Sequence, residues 1–243
     1  MRGKGAYRNS EPTTCHVGPL YTMRHVMAFA LHRARVMRHS PSMVLRRTPE
    51  SESTGRNAPS IEAAFQAAPE ELVAEILEGE LHLSPRPARP HANVFYNLAG
   101  LLSGPFKFGK DGPGGWVLLA EPELHLGPRP DKVVPDLAGW RRERLPRAVG
   151  GADAPAHYEL APDWVCEILS PSTRRVDQGP KMRIYAREGV RHLWHVDPLV
   201  RTLELFRLTE GQWLRAECFT GEGRVRAEPF EAIELDLALV WSE

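Results

Sequence analysis

The sequence is poor in the features that most quickly type a protein. It has three cysteines in 243 residues, Cys15, Cys166 and Cys218, with no CxxC pair among them. So sparse and odd a set excludes a disulfide framework and a cysteine-based structural zinc site. No run approaches the roughly 18–20 apolar residues of a membrane span. The apolar stretch 26–31 is cut short by His32, Arg33 and Arg35, which also rules it out as a secretory core. Net charge is absent, with 31 Lys and Arg against 31 Asp and Glu. That balance excludes the strongly basic chain that by itself announces nucleic-acid binding, and the acidic, aromatic-poor composition of a disordered protein. The expectation is a cytoplasmic protein that does not cross a membrane, built around one sizeable core.

The zero is a sum of unlike parts. Residues 1–58 hold 10 Lys and Arg against 3 Asp and Glu, while residues 59–243 hold 21 against 28. The first segment has five of the six methionines and no sustained periodicity, and it runs into a polar, turn-rich stretch, RRTPESESTGRNAPS, at 46–60. Such a composition cannot bury a core. Residues 1–58 therefore read as a disordered N-terminal extension, or as an over-extended reading frame that truly starts at Met37 or Met43. A basic arm for phosphate backbones is the functional alternative.

From Ser60 the chain becomes orderly, and 59–243 reads as one domain. Ser60 is placed to cap a short helix over 61–68. A hairpin follows over 71–83 around Gly79, then a helix from about His91 that Gly104-Pro105 should stop. Strands are predicted over 116–126 and 132–140, and an apolar strand over 163–170. Next comes a helix over 177–188 with Asp177 as N-cap and Gly189 at its end. Strands over 192–197, 202–208 and 213–219 complete the pattern. Strands alternating with a few helices indicate a mixed α/β layer fold.

Three carboxylates stand where a strand interior prefers hydrocarbon. Glu80 follows Gly79 in ILEGELHL, Asp136 follows Pro135 in KVVPDLAGW, and Glu167 lies inside DWVCEILS. Burying an unpaired carboxylate costs on the order of several kcal/mol, which a divalent cation offsets well. Magnesium accepts one or two carboxylates and keeps several waters. Strand alternation puts Val165, Glu167 and Leu169 on one face, away from Cys166. Lys181, on the following helix, is a basic residue nearby in sequence. Each feature has a plainer reading: Glu80 as a solvated hairpin residue, Asp136 as a strand end satisfied by turn amides, Lys181 as a surface helix lysine. The glycines at 112–115 lack the GK[ST] ending of a phosphate loop, His91 serves equally as a helix-start residue, and His192 and His195 lack partners at metal-ligand spacing.

The stretches Val134-Pro135-Asp136, PDWVCEILSPST at 162–173, then Asp177, Lys181, Tyr185, Gly189-Val190 and WHVDP at 194–198 closely resemble the Uma2 family. These are restriction-endonuclease-like proteins of the PD-(D/E)xK nuclease superfamily, and the likeness covers roughly 60–220. The resemblance implies a restriction-endonuclease-like mixed sheet flanked by helices and a metal-dependent endonuclease acting on DNA, with RNA as an alternative substrate. It implies Asp136 and Glu167 as ligands of Mg²⁺ or Mn²⁺. It also implies Lys181 as the catalytic lysine, moved from the strand slot that Leu169 fills here, and Glu80 as an auxiliary carboxylate. Asp177 and Tyr185 are implied as helix support, and a homodimer by analogy with other nucleases of the fold. Such a core orients a water and stabilises a phosphorane-like transition state. Phosphate contacts would come from a local cluster, Arg141, Arg142, Arg144 and Arg147. A catalytically inactive nuclease-fold module that binds nucleic acid or protein is the competing class, kept open by Leu169 and by Pro180 in the first helical turn.

Overall fold

The computed structural model describes residues 13–14, 43–45, 60–145 and 156–243. Of segment 1–58 these include two short strands, β1 (Thr13–Thr14) and β2 (Met43–Leu45). The reading of that segment as an extension otherwise lies outside the described residues, as does Arg147.

Ser60 caps as its chemistry suggests: its Oγ accepts from the Ala63 N–H at 3.1 Å and opens α1 (Ile61–Gln66). Strands β3 (Leu72–Leu77) and β4 (Glu80–Pro85) form the hairpin. Its two turn residues, Glu78 and Gly79, both take positive φ (53° and 82°), the geometry that matches strand twist in a two-residue turn. Register then pairs Leu77 with Glu80 and Glu75 with His82. Helix α2 (Arg89–Leu102) does not stop at Gly104-Pro105. It continues through a π-helical turn over Ser103–Lys107, with the Phe108 N–H donating to the Ser103 carbonyl at 3.0 Å. Pro105 has no N–H for an i→i−4 bond, and the wider turn accommodates its ring.

Strands β5 (Trp116–Ala120), β6 (Glu123–Leu126), β7 (Asp131–Val133) and β8 (Leu137–Arg141) follow, then β9 (His157–Tyr158) and β10 (Trp164–Ile168). The next helix starts earlier than expected. It runs as α3 (Arg174–Val176), a π-helical turn over Asp177–Lys181, and α4 (Met182–Arg187). Asp177 is therefore inside the helix and is not its N-cap. The missing N–H of Pro180 again coincides with the widened turn. Strands β11 (His192–Asp197), β12 (Thr202–Thr209), β13 (Gln212–Thr220), β14 (Arg224–Val225) and β15 (Leu235–Asp236), with α5 (Leu237–Trp241), close the chain.

The central sheet has the order β1-β13-β12-β11-β10-β8-β5. Its β10–β11 pair is parallel and the remaining pairs are antiparallel. The second sheet has the order β2-β4-β3-β7-β6-β9. Both faces of the central sheet are buried. One packs Trp116, Trp164, Trp194 and Phe230 against Leu98 and Leu102 of α2 and Leu237 of α5. The other packs Trp140, Val165 and Leu193 against Ile184 and Tyr185 of α4 and against Leu77 and Leu124 of the second sheet. Because β10 is covered on both sides, its residues alternate between the two cores, and Glu167 projects into the layer that holds α4 and the second sheet.

Candidate active site

Where the second sheet, the central sheet and the helix at 174–187 meet, a cavity of about 340 Å³ opens, with Glu75, His91, Asp136, Glu167, Asp177 and Lys181 in its wall. Five polypeptide segments deliver these groups. Glu75 comes from β3, pinned by the Val134 N–H, which donates to its Oε1 at 2.8 Å. Asp136 precedes β8, and its Oδ2 accepts from the Ile168 N–H at 2.6 Å, so its carboxylate sits against the peptide next to Glu167. The other oxygen of Asp136 lies 3.1 Å from His91 Nε2, at the start of α2. Glu167 is 1% exposed and its Oε1 accepts from the Tyr185 hydroxyl at 2.6 Å.

Lys181 joins the acids. Its Nζ lies 3.2 Å from Glu75 Oε1, 3.3 Å from Glu167 Oε2 and 3.4 Å from Asp177 Oδ1, and it donates to the Val134 carbonyl at 3.2 Å. One ammonium with three N–H bonds thus faces four acceptors. Burial works against its charge, but Glu167, Glu75, Asp177 and Asp136 together hold the Lys181 pKa well above its usual range. The acids outnumber it. Burial, reinforced by Asp177 and Asp136, pushes the Glu167 carboxyl well up despite Lys181. Burial likewise pushes Asp177 up to about 6. For His91, burial disfavours the imidazolium, and the bond to Asp136 outweighs it and raises the pKa. Buried like charges sharing one counter-ion in this way are a mark of working sites.

Residues 62–239 match the family described as "Uma2: Putative restriction endonuclease". The chain belongs to the Uma2 family. Among solved structures it is similar to "a putative nuclease belonging to DUF820 from Anabaena variabilis ATCC 29413". The two are 19% identical, with a TM-score of 0.61, and the match covers 76% of this chain and 98% of that one. A likeness at that identity is one of fold, and it agrees with the mixed α/β sheet flanked by helices. Among curated proteins none matches this chain.

In this Uma2 chain, Asp136, Glu167 and Lys181 share the one cavity. Glu80 does not line it. It pairs with Leu77 at the turn end of the hairpin, and Glu75, two residues before Leu77 on the same face, is the first-sheet carboxylate that reaches the cavity. The signal for Glu75 was present in the sequence: an acid between Ala74 and Ile76 in an alternating strand. The glycine turn beside it marks Glu80 more conspicuously. Asp177, expected at a helix start, is instead buried beside Lys181, and Tyr185 holds Glu167 directly. Three arginines of the expected cluster make contacts within the framework. Arg141 stacks on Trp116 with Cζ 4.2 Å from the ring centre, Arg142 donates to the Lys107 and Trp116 carbonyls, and Arg144 pairs with Asp163 at 2.5 Å.

The donor set suits a hard divalent cation: carboxylate oxygens in a cavity with more acids than bases. Among the described residues no three His, Cys, Asp or Glu side chains form a ready ligand group by themselves. No helix among the described residues is long and apolar enough to cross a membrane.

Proposed function

We propose that this Uma2 protein is a Mg²⁺- or Mn²⁺-dependent endonuclease that hydrolyses DNA phosphodiester bonds. The observation that carries the reading is the convergence of Asp136, Glu167 and Lys181 in one cavity, from the link before β8, a strand and a helix. Asp136 and Glu167 would hold the cation. When bound, such an ion lowers the pKa of a coordinated water and neutralises charge on the scissile phosphate.

The rest falls to the chain itself. Lys181, kept charged by its three carboxylate neighbours, orients the attacking water or supports the charge that builds on the phosphoryl oxygens. Glu75 and Asp177 hold the ammonium in place from two sides. His91 and the Ile168 N–H fix the two oxygens of Asp136, and Tyr185 fixes one oxygen of Glu167. A site whose groups are already oriented loses little in reorganisation when the phosphate arrives. His91 and Tyr185 thereby act through the two acids and are positioning residues.

Cleavage of circular DNA, single-stranded and supercoiled, tests the reading. Wild-type protein should cut at least one of the two with Mg²⁺ or Mn²⁺ and stop on chelation with EDTA. Glu167→Gln and Asp136→Asn should lose the metal-stimulated rate by about 100-fold or more. A purified wild type that cleaves no faster than these variants sinks the enzyme reading and leaves the binding-module alternative.

A further inference from the structure

The catalytic cavity is the middle of three. A neighbour of about 570 Å³ extends past Phe65 and Pro69, and another of about 250 Å³ extends past Ala92 and Phe95. Arg86 and Glu121 belong to the walls of all three, so the cavities adjoin as one trench that crosses the site. Resting on the nuclease reading above, we propose that the substrate lying in this trench is single-stranded DNA. Arg86 holds a backbone phosphate, and Phe65 and Phe95 offer stacking surfaces to bases on either side of the scissile bond.

Charge argues first. Among the described residues, Arg86 and the buried Lys181 are the only lysine or arginine residues in the three walls. Glu70, Glu121 and Glu123 line the trench beside the site's own acids. Duplex binding depends on neutralising many phosphates along two strands, and Arg141, Arg142 and Arg144 line none of the three walls. A single strand asks for less cation and gains from aromatic faces that accept any base. Phe65 and Phe95 are half-buried and line the two outer cavities, with Lys132 Nζ 4.3 Å from the Phe65 ring centre. Among the described residues Arg86 hydrogen-bonds the Glu70 carbonyl at 3.1 Å. A guanidinium has five N–H donors, so others remain for a phosphate.

Depth argues second. Glu167 is 1% exposed and Lys181 5%, so the scissile phosphate has to be carried down to them. A free strand bends to do this at little cost, whereas a stiff duplex has to be bent or locally distorted to reach so deep a site.

The test is fluorescence anisotropy in EDTA, with wild-type protein and a labelled oligothymidylate of about twelve nucleotides, against a duplex of the same length. The single strand should bind at least about 10-fold tighter, and Arg86→Ala and Phe95→Ala should each weaken it by about 5- to 10-fold. Arg86 is exposed, so its substitution leaves the fold intact even if Phe95→Ala loosens α2. Duplex binding as tight as single-strand binding, or an Arg86→Ala protein of unchanged single-strand affinity, overturns the proposal. Cleavage of the same two probes with Mn²⁺ separates the two claims. Cutting that favours the duplex keeps the nuclease and discards the single-strand substrate. Tight single-strand binding without cutting discards the nuclease and keeps the trench.

Discussion

Lys181 Nζ and Glu167 Oε2 lie 3.3 Å apart, although 14 residues of chain and a change from strand to helix separate them. The strand slot two residues beyond Glu167 holds Leu169, yet the helix at 174–187 returns an ammonium to the same acid. The π-helical turn at Asp177–Lys181 brings Asp177 to the cluster with it. Replacing Lys181 with Met removes the one ammonium among Glu75, Glu167 and Asp177. Breaking a buried pair from one side costs about 3–5 kcal/mol. The variant should melt at a clearly lower temperature by calorimetry at pH 7, and its cleavage rate should fall by about 100-fold or more. An unchanged melting temperature would show that the ammonium is not the counter-charge of these acids.

Glu75 and Glu80 separate the two candidate first-sheet acids. Glu75→Gln should lower metal-dependent cleavage by about 10- to 100-fold, because it loosens both Lys181 and the Val134 peptide next to Asp136. Glu80→Gln should stay within about twofold of wild type, as expected of a substitution outside the chemistry. Side-by-side rates on one plasmid decide between them, and the reverse ranking would restore the hairpin acid.

Tyr185→Phe removes the hydroxyl that donates to Glu167 and little else. Leaving a buried carboxylate short of a donor costs about 1–3 kcal/mol, which denaturant unfolding of the two proteins measures directly. In cleavage assays kcat should fall while KM stays near wild type, since Tyr185 positions an acid and does not line the substrate cavity. A fall in both together would assign Tyr185 to substrate binding.

His195 faces the same layer as Glu167, opposite it in the β10–β11 register, and is 1% exposed with its ring against Phe206. Burial, helped by Arg174 and Lys181, lowers its pKa to about 4. The folded state therefore disfavours the imidazolium, and the unfolded chain takes up the proton first as pH falls. This contribution to stability is whole above the usual histidine value and is lost as pH drops towards 4. It amounts to about 3 kcal/mol. His195→Leu should remove that part of the acid sensitivity, so that the gap between the two proteins' unfolding free energies changes between pH 7.5 and 4.5. Parallel stability curves would contradict this.

Much of the fold was legible because it depends on local rules. Ser60 carries the capping oxygen, Glu78-Gly79 accept positive φ, and the apolar run around Glu167 fits a strand covered on both faces. The departures have local causes too. At Pro105 and Pro180 a missing N–H is absorbed by a π-helical turn, and the helix goes on where a stop or a fresh start was expected. The site was legible only in part. Asp136 and Glu167 stand out as acids in apolar strands. Glu75 carries the same pattern, but no rule of spacing tells which hairpin acid reaches inward when Glu75 and Glu80 lie on the same face.

By itself, then, the sequence determined the types of element, the faces of the strands and two of the acids, Asp136 and Glu167, since side-chain alternation and backbone preference act over a few residues. Which acids meet is a matter of sheet register and of how two sheets and a helix pack, and those depend on contacts across the whole domain. Only the tertiary structure could bring Glu75, Asp136, Glu167 and Asp177 around one lysine. Only it could show that the arginines near 141–144 brace the framework while Arg86 stands over the trench.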